Sequence, residues 1–193
     1  MPHRITTHDI MNNDLDDLFQ GAKADVFYSD PPWGSGNLKF WRTYNGQKGY
    51  EVDWMRFINR VKYLCDRHVK GSVFLETGVR FENDVVSVFG KPQCRYNIIY
   101  KSGGKPMPNL LLGFGEKPKL DPTGKTGFAV PFTVLSSLPS SPQSVFDCCV
   151  GLGLTAKVAK KLNMSCYANE LNPKRAAQTM KILDFALVGS DYK

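Results

Sequence analysis

Residues 144–170 constrain the fold more than any other part of the chain. Ser144-Val145-Phe146-Asp147 reads as a short apolar strand, Gly151 and Gly153 follow at a turn, and residues 154–162 read as a helix. A second apolar strand over residues 165–169 then ends at Glu170. Strand, glycine turn, helix and strand in so short a span describe a crossover between parallel strands. Glycine lets the turn bend and approach a ligand without a side-chain clash. A Gly-x-Gly pair alone says little, but an acid at the end of the next strand can hold ribose hydroxyls.

The rest of the chain extends this pattern. Strands are expected over residues 4–8, 24–29 and 72–76, and helices over 14–19, 52–68, 81–89, 131–138 and 173–183. The helix at 52–68 is marked by Trp54, Phe57, Ile58, Val61, Leu64 and Cys65 at helical spacing. Residues 96–100 and 109–114 form a hairpin with a basic tip at 101–106. Alternating strands and helices predict an α/β fold, with a doubly wound, mostly parallel sheet and an antiparallel hairpin at one edge. At 193 residues the chain fits a single domain. No apolar run is long enough to span a membrane and no signal-peptide pattern starts the chain, so a cytoplasmic protein is expected.

Asp30-Pro31-Pro32-Trp33 stands directly behind the apolar strand at 24–29. A carboxylate, two prolines and an aromatic at a strand end make a rigid pocket with a polar acceptor and a flat ring. Such a pocket suits a planar base bearing an exocyclic amine. Asp30 and the Pro31 carbonyl can accept the two amine hydrogens, Trp33 can stack on the ring, and Pro32 braces the wall. The same four residues also fit a plain turn with Asp30 as a cap.

The turn at 151–155 lacks both a longer Gly-x-Gly-x-x-Gly pattern and the Lys-Ser/Thr end of a phosphate loop, which argues against ATP or GTP. A cofactor with a ribose and no pyrophosphate, such as S-adenosylmethionine, suits it better. Five cysteines and three histidines show no metal-site spacing, and Cys148-Cys149 has no activating partner nearby in sequence.

Taken together, Asp-Pro-Pro-Trp at 30–33, Asp-Cys-Cys-Val-Gly-Leu-Gly-Leu-Thr at 147–155 and Asn-Glu-Leu-Asn-Pro at 169–173 resemble the S-adenosylmethionine-dependent amino-methyltransferases of DNA. The order of the motifs is that of the circularly permuted, beta-type members. Minimal, phage-like versions are the nearest in form. The resemblance implies a seven-stranded class I methyltransferase (Rossmann-like) sheet. It further implies a cofactor site of Asp147, Cys149, Gly151, Gly153, Glu170 and Leu171, with Asp30 at its border. Asp9 corresponds to the residue near the adenine amino group, and Phe128 falls in the segment beside the methionine end. Pro and Phe are usual where this chain has Cys148 and Cys149. Asp in first place of the tetrapeptide favours adenine N6 as target, leaving RNA adenine N6 and DNA cytosine N4 as alternatives. A non-catalytic subunit with the same fold is a further one.

The net charge of +7 suits a polyanion. Residues 34–50 are expected to be a polar substrate-binding loop, in which Lys39, Trp41, Arg42, Tyr44 and Lys48 mix charge and aromatic rings. Residues 115–129 are a short connector where relatives carry a recognition domain. DNA contact is therefore expected to rest on 34–50, on a homodimer, or on a subunit that supplies specificity.

Overall fold

The computed structural model describes residues 3–47, 53–102, 104–182 and 186–190. Its framework is a mixed sheet of eight strands in which β1 (His3–Thr7), β2 (Val26–Ser29), β3 (Val73–Gly78), β6 (Ser144–Asp147), β7 (Ser165–Asn169) and β8 (Ala186–Ser190) are parallel neighbours. β4 (Cys94–Ser102) and β5 (Lys105–Phe114) form the antiparallel hairpin, and β5 joins β3. The spatial order is β4-β5-β3-β2-β6-β7-β1-β8.

Expected and observed sheets differ at one edge. The resemblance implies seven strands; an eighth, β8, pairs with β1 through a register shift between Ile5 and Thr6. The hairpin strands also run further than their apolar cores, leaving a tip no longer than the turn from Ser102 to Lys105.

Helices cover both faces, and alternation along the strands explains why. Val26 and Tyr28 of β2 pack with Val130 and Val134 of α5 (Ala129–Leu135) and with Ala156, Val158 and Ala159 of α6 (Leu154–Lys161). Phe27, between them, points the other way. It joins Leu18 and Phe19 of α1 (Asp16–Phe19), Ile58, Val61 and Leu64 of α3 (Trp54–His68), and Val85 of α4 (Glu82–Phe89). A strand buried on both faces reads as a continuous apolar run, and Val26-Phe27-Tyr28 is one.

Two helix starts are fixed by side-chain caps. Asp53 accepts the Arg56 N–H ahead of α3, and Asn172 accepts the N–H groups of Lys174 and Arg175 at α7 (Pro173–Met180). Residues 34–47 depart from the expected loop. They form α2 (Gly34–Tyr44), which buries Leu38 and Arg42. Among the described residues no helix is long and apolar enough to cross a membrane.

β2 and β6 lie side by side, while the chain leaves them in opposite directions, toward β3 and toward β7. This is a topological switch point, where the carboxyl ends of strands open a crevice.

Candidate active site

A cavity of about 1000 Å³ occupies that crevice. Five carboxylates line it, each at the carboxyl end of a different parallel strand: Glu76 on β3, Asp30 beyond β2, Asp147 ending β6, Glu170 beyond β7 and Asp9 beyond β1. The strands that carry them are consecutive neighbours in the sheet.

The Asp30 end is built for a flat, amine-bearing group. Trp33 Nε1 donates to Asp30 Oδ1 at 2.9 Å, and the indole meets the Tyr100 ring edge-on with centroids 4.9 Å apart. Pro31 and Pro32 line the same wall, and Pro31 is buried. Desolvation, then the charges of Glu76 and Asp147, push the Asp30 carboxyl well above the usual carboxylate range, while the Trp33 hydrogen bond acts the other way. Asp30 faces solvent through the open cavity, and water there moderates that push.

The other end centres on Glu170. Its Oε2 accepts the Gly151 N–H and its Oε1 the Asn172 N–H, both at 2.8 Å. The carboxylate therefore ties the glycine turn to the start of α7 while each oxygen keeps a further lone pair. Gly151 has a positive φ of 57°, and a Cβ there would meet only the Cys149 carbonyl oxygen at 3.9 Å, so the turn leaves open space beside it. Asp147 accepts from the Ser29 hydroxyl at 2.7 Å and from the Cys149 N–H, and burial raises its pKa.

Most of the residues singled out from sequence gather here. Asp9, Asp30, Pro31, Pro32, Trp33, Asp147, Cys149, Gly151, Glu170 and Leu171 all line the cavity. Two others do not. Gly153 has φ 78° and lies against α7, where a Cβ would come within 2.5 Å of Ile182 Cδ1 and 2.9 Å of Thr179 Oγ1. Close packing, rather than approach to a ligand, requires glycine there. Phe128 is partly exposed and stacks on Phe132 away from the cavity.

Among the basic and aromatic residues, Trp41 and Arg42 line the cavity. Arg42 is buried and committed, however. Its two terminal nitrogens reach Asp9 Oδ1 and Oδ2 at 3.2 Å, and one also reaches Gln47. That pair ties α2 to the end of β1 and sets Arg42 against Asp9 rather than toward open solvent. Trp41 is covered by the Arg175 guanidinium at 4.0 Å. Lys39 and Tyr44 are exposed outside the cavity lining, and Lys48 lies outside the described residues. Cys149 has its thiol pushed well up by the hydrogen bond with Cys148 and by burial, which leaves it protonated and inert.

Tyr28, Glu76, Tyr100 and Arg175 also line the cavity and are not singled out by the sequence. The one available signal is Glu76, an acid near the end of an otherwise apolar strand.

Structural comparison identifies the architecture. The PvuII DNA methyltransferase, described as cytosine-N4-specific, superposes with a TM-score of 0.70 at 10% identity, over 95% of this chain and 86% of that one. The M1.HpyAVI–SAM complex gives 0.65 at 16%, over 93% and 98%. A DNA modification methylase from Thermus thermophilus, complexed with S-adenosyl-L-methionine, gives 0.59 at 15%, over 99% of both chains. The chain has their fold. No family model and no curated protein matches the sequence. In this α/β fold the cavity lies at the switch point of the sheet, bordered by both the tetrapeptide and the glycine turn.

Proposed function

We propose that the protein transfers a methyl group from S-adenosylmethionine to the exocyclic N6 amine of adenine in DNA. One observation carries this proposal: Asp30 and the Gly151–Glu170 turn open onto one cavity rather than onto different surfaces. The similarity of fold to enzymes described as DNA methyltransferases supports it.

The residues present fit the cofactor. Glu170 has lone pairs left for two ribose hydroxyls, and the open side of Gly151 admits a close ligand. A cationic ligand suits Asp30, Asp147 and Glu170, whose ionised forms burial disfavours. S-adenosylmethionine supplies an electrophilic methyl group on a cationic sulfur.

The protein's own part is positioning and proton handling. Asp30 Oδ1 is held by Trp33, which leaves Oδ2 and the Pro31 carbonyl to accept the amine hydrogens. Accepting both turns the nitrogen lone pair out of conjugation and stabilises the positive charge that grows on it. The proton the amine sheds passes to Asp30, and the raised affinity of that carboxyl for protons suits it to this step. A base in a duplex must first leave the stack, which costs a few kcal/mol. The net charge of +7 and exposed Lys39 suit the phosphates of such a substrate.

Cytosine N4 is the second reading, favoured by the superposition on an enzyme described as cytosine-N4-specific. The test supplies labelled cofactor with duplex DNA, single-stranded DNA, RNA and free nucleosides, followed by digestion and mass analysis. N6-methyladenine in DNA is expected. N4-methylcytosine or methylated RNA would replace the substrate. Cofactor binding without transfer to any of them would favour a non-catalytic subunit.

A further inference from the structure

Glu76 has no part in the transfer as described, yet it is 7% exposed and lines the cavity. β2 and β3 are parallel with Ser29 opposite Leu75, so the next position sets Asp30 beside Glu76, on the face that Tyr28 and Phe74 share.

The groups around Glu76 are uneven. From β2, the Tyr28 hydroxyl donates to Oε1 at 2.7 Å. From β5, the buried Asn109 amide lies close enough to favour the charged form but makes no well-aligned hydrogen bond. Asp147 on β6 and Asp30 beyond β2 add like charge, and Tyr100 on β4 faces both Asp30 and Glu76. Among the described residues no cation is among the groups that set its ionisation. Burial, first of all, holds the Glu76 carboxyl up to about 7, against the pull of Tyr28.

An ionised carboxylate only accepts hydrogen bonds, whereas a carboxylic acid also donates one. Asp30 is open to solvent and accepts the Trp33 N–H, whereas Glu76 is buried, so Asp30 is the member that ionises and Glu76 the one that keeps a proton. Side by side, the two present an acceptor next to a donor. The edge of an aminated base presents the complement: an N–H of the exocyclic amine next to a ring nitrogen with a lone pair, N1 in adenine or N3 in cytosine. Guanine and thymine place a carbonyl beside a ring N–H, which sets a carbonyl oxygen against Asp30.

We infer that the Glu76 carboxylic acid donates a hydrogen bond to the ring nitrogen beside the amine held by Asp30, so that the two carboxyls together read the edge of an aminated base. The Tyr28 bond to Oε1 leaves Oε2 to carry the proton into the cavity. This role rests on the amino-methylation proposed above and adds a second contact at the same site.

The test uses oligonucleotides that carry the target base either intact or with that ring nitrogen replaced by C–H: 1-deazaadenine, or 3-deazacytosine should cytosine prove the target. Wild type, Glu76→Gln and Glu76→Ala are compared on both substrates, because differences between variants cancel the intrinsic effect of the replacement on the amine. Wild type at pH 6.5 is expected to lose about tenfold in kcat/KM on the deaza base beyond the loss in the alanine variant. Glu76→Gln keeps an N–H donor and should keep that discrimination. The wild-type KM for nucleic acid should climb as pH passes 7 and Glu76 loses its proton, whereas KM in the glutamine variant stays level. Cofactor affinity in all three reports an intact site. Equal discrimination in wild type and Glu76→Ala overturns the contact. If wild type methylates no base at all, the proposed activity itself falls, and the contact with it.

Discussion

The Trp33 indole N–H donates to Asp30 Oδ1 at 2.9 Å, so the tetrapeptide closes on itself before any ligand arrives. Trp33 thereby orients the carboxylate and, by favouring its ionised form, draws its pKa down against the effect of burial. Trp33→Phe keeps an aromatic ring and removes the donor. The transfer rate should fall about tenfold, roughly the worth of one hydrogen bond to a charged group. Asp30 must be ionised to accept the amine hydrogens, so activity disappears as pH falls through its pKa. Without the indole that pKa rises, and the acidic limb of the pH–rate profile should move to higher pH. A limb that stays in place would remove Trp33 from this role.

Asp30→Ala should lower kcat by about 10²- to 10³-fold, the range for deleting one group that stabilises developing charge. The cofactor dissociation constant, read by calorimetric titration, should remain at the wild-type value because Glu170 and Gly151 are untouched.

Glu170→Ala should do the reverse. The Gly151 and Asn172 N–H groups lose their shared acceptor and the cofactor loses its ribose partner. Cofactor affinity should drop about ten- to hundredfold, by the worth of hydrogen bonds to a charged acceptor. Unchanged calorimetric affinity would place the cofactor elsewhere.

Arg42→Ala strips the bidentate partner from the buried Asp9. Loss of one half of a buried pair costs about 3 kcal/mol, readable as a shift of the urea midpoint. The same variant should change substrate KM far less than an exposed phosphate contact would, because Arg42 faces Asp9 and Gln47 rather than solvent.

Glu76 makes stability depend on pH. Its folded pKa of about 7 exceeds the ordinary 4.5, so ionising it in the folded state is unfavourable and stability declines as pH rises from about 4.5 to 7. Glu76→Gln cannot ionise and still accepts the Tyr28 hydroxyl. At pH 8 this variant should unfold about 1–3 kcal/mol harder than wild type, with little advantage left at pH 4.5. Thermal melts at the two pH values check it.

The parts of the fold legible in the sequence are those whose local pattern has a single physical solution. Val26 to Tyr28 are apolar without a break, and α3 repeats its apolar face over four turns. Asp30 and Asp147 stand out because each comes at the end of such a run. α2 is hidden by Gly34 and Gly36 and by a buried face made only of Gly34, Leu38 and Arg42, too sparse to show a helical period. β8 is hidden because Ala186 to Ser190 are few and include Gly189, whose fit depends on Asp17 and His8 from elsewhere in the chain. The partners of Arg42 and the neighbours of Glu76 come from distant segments, and no local pattern announces them.

The crevice sets its acids against Arg42, Arg80 and Arg175, within a chain whose overall charge is +7. The excess positive charge lies on the outer surface, so the phosphates are drawn there and a nucleotide that enters does so base first, leaving its backbone at the rim. Added salt should then weaken capture of the polymer while leaving turnover of the captured complex almost untouched.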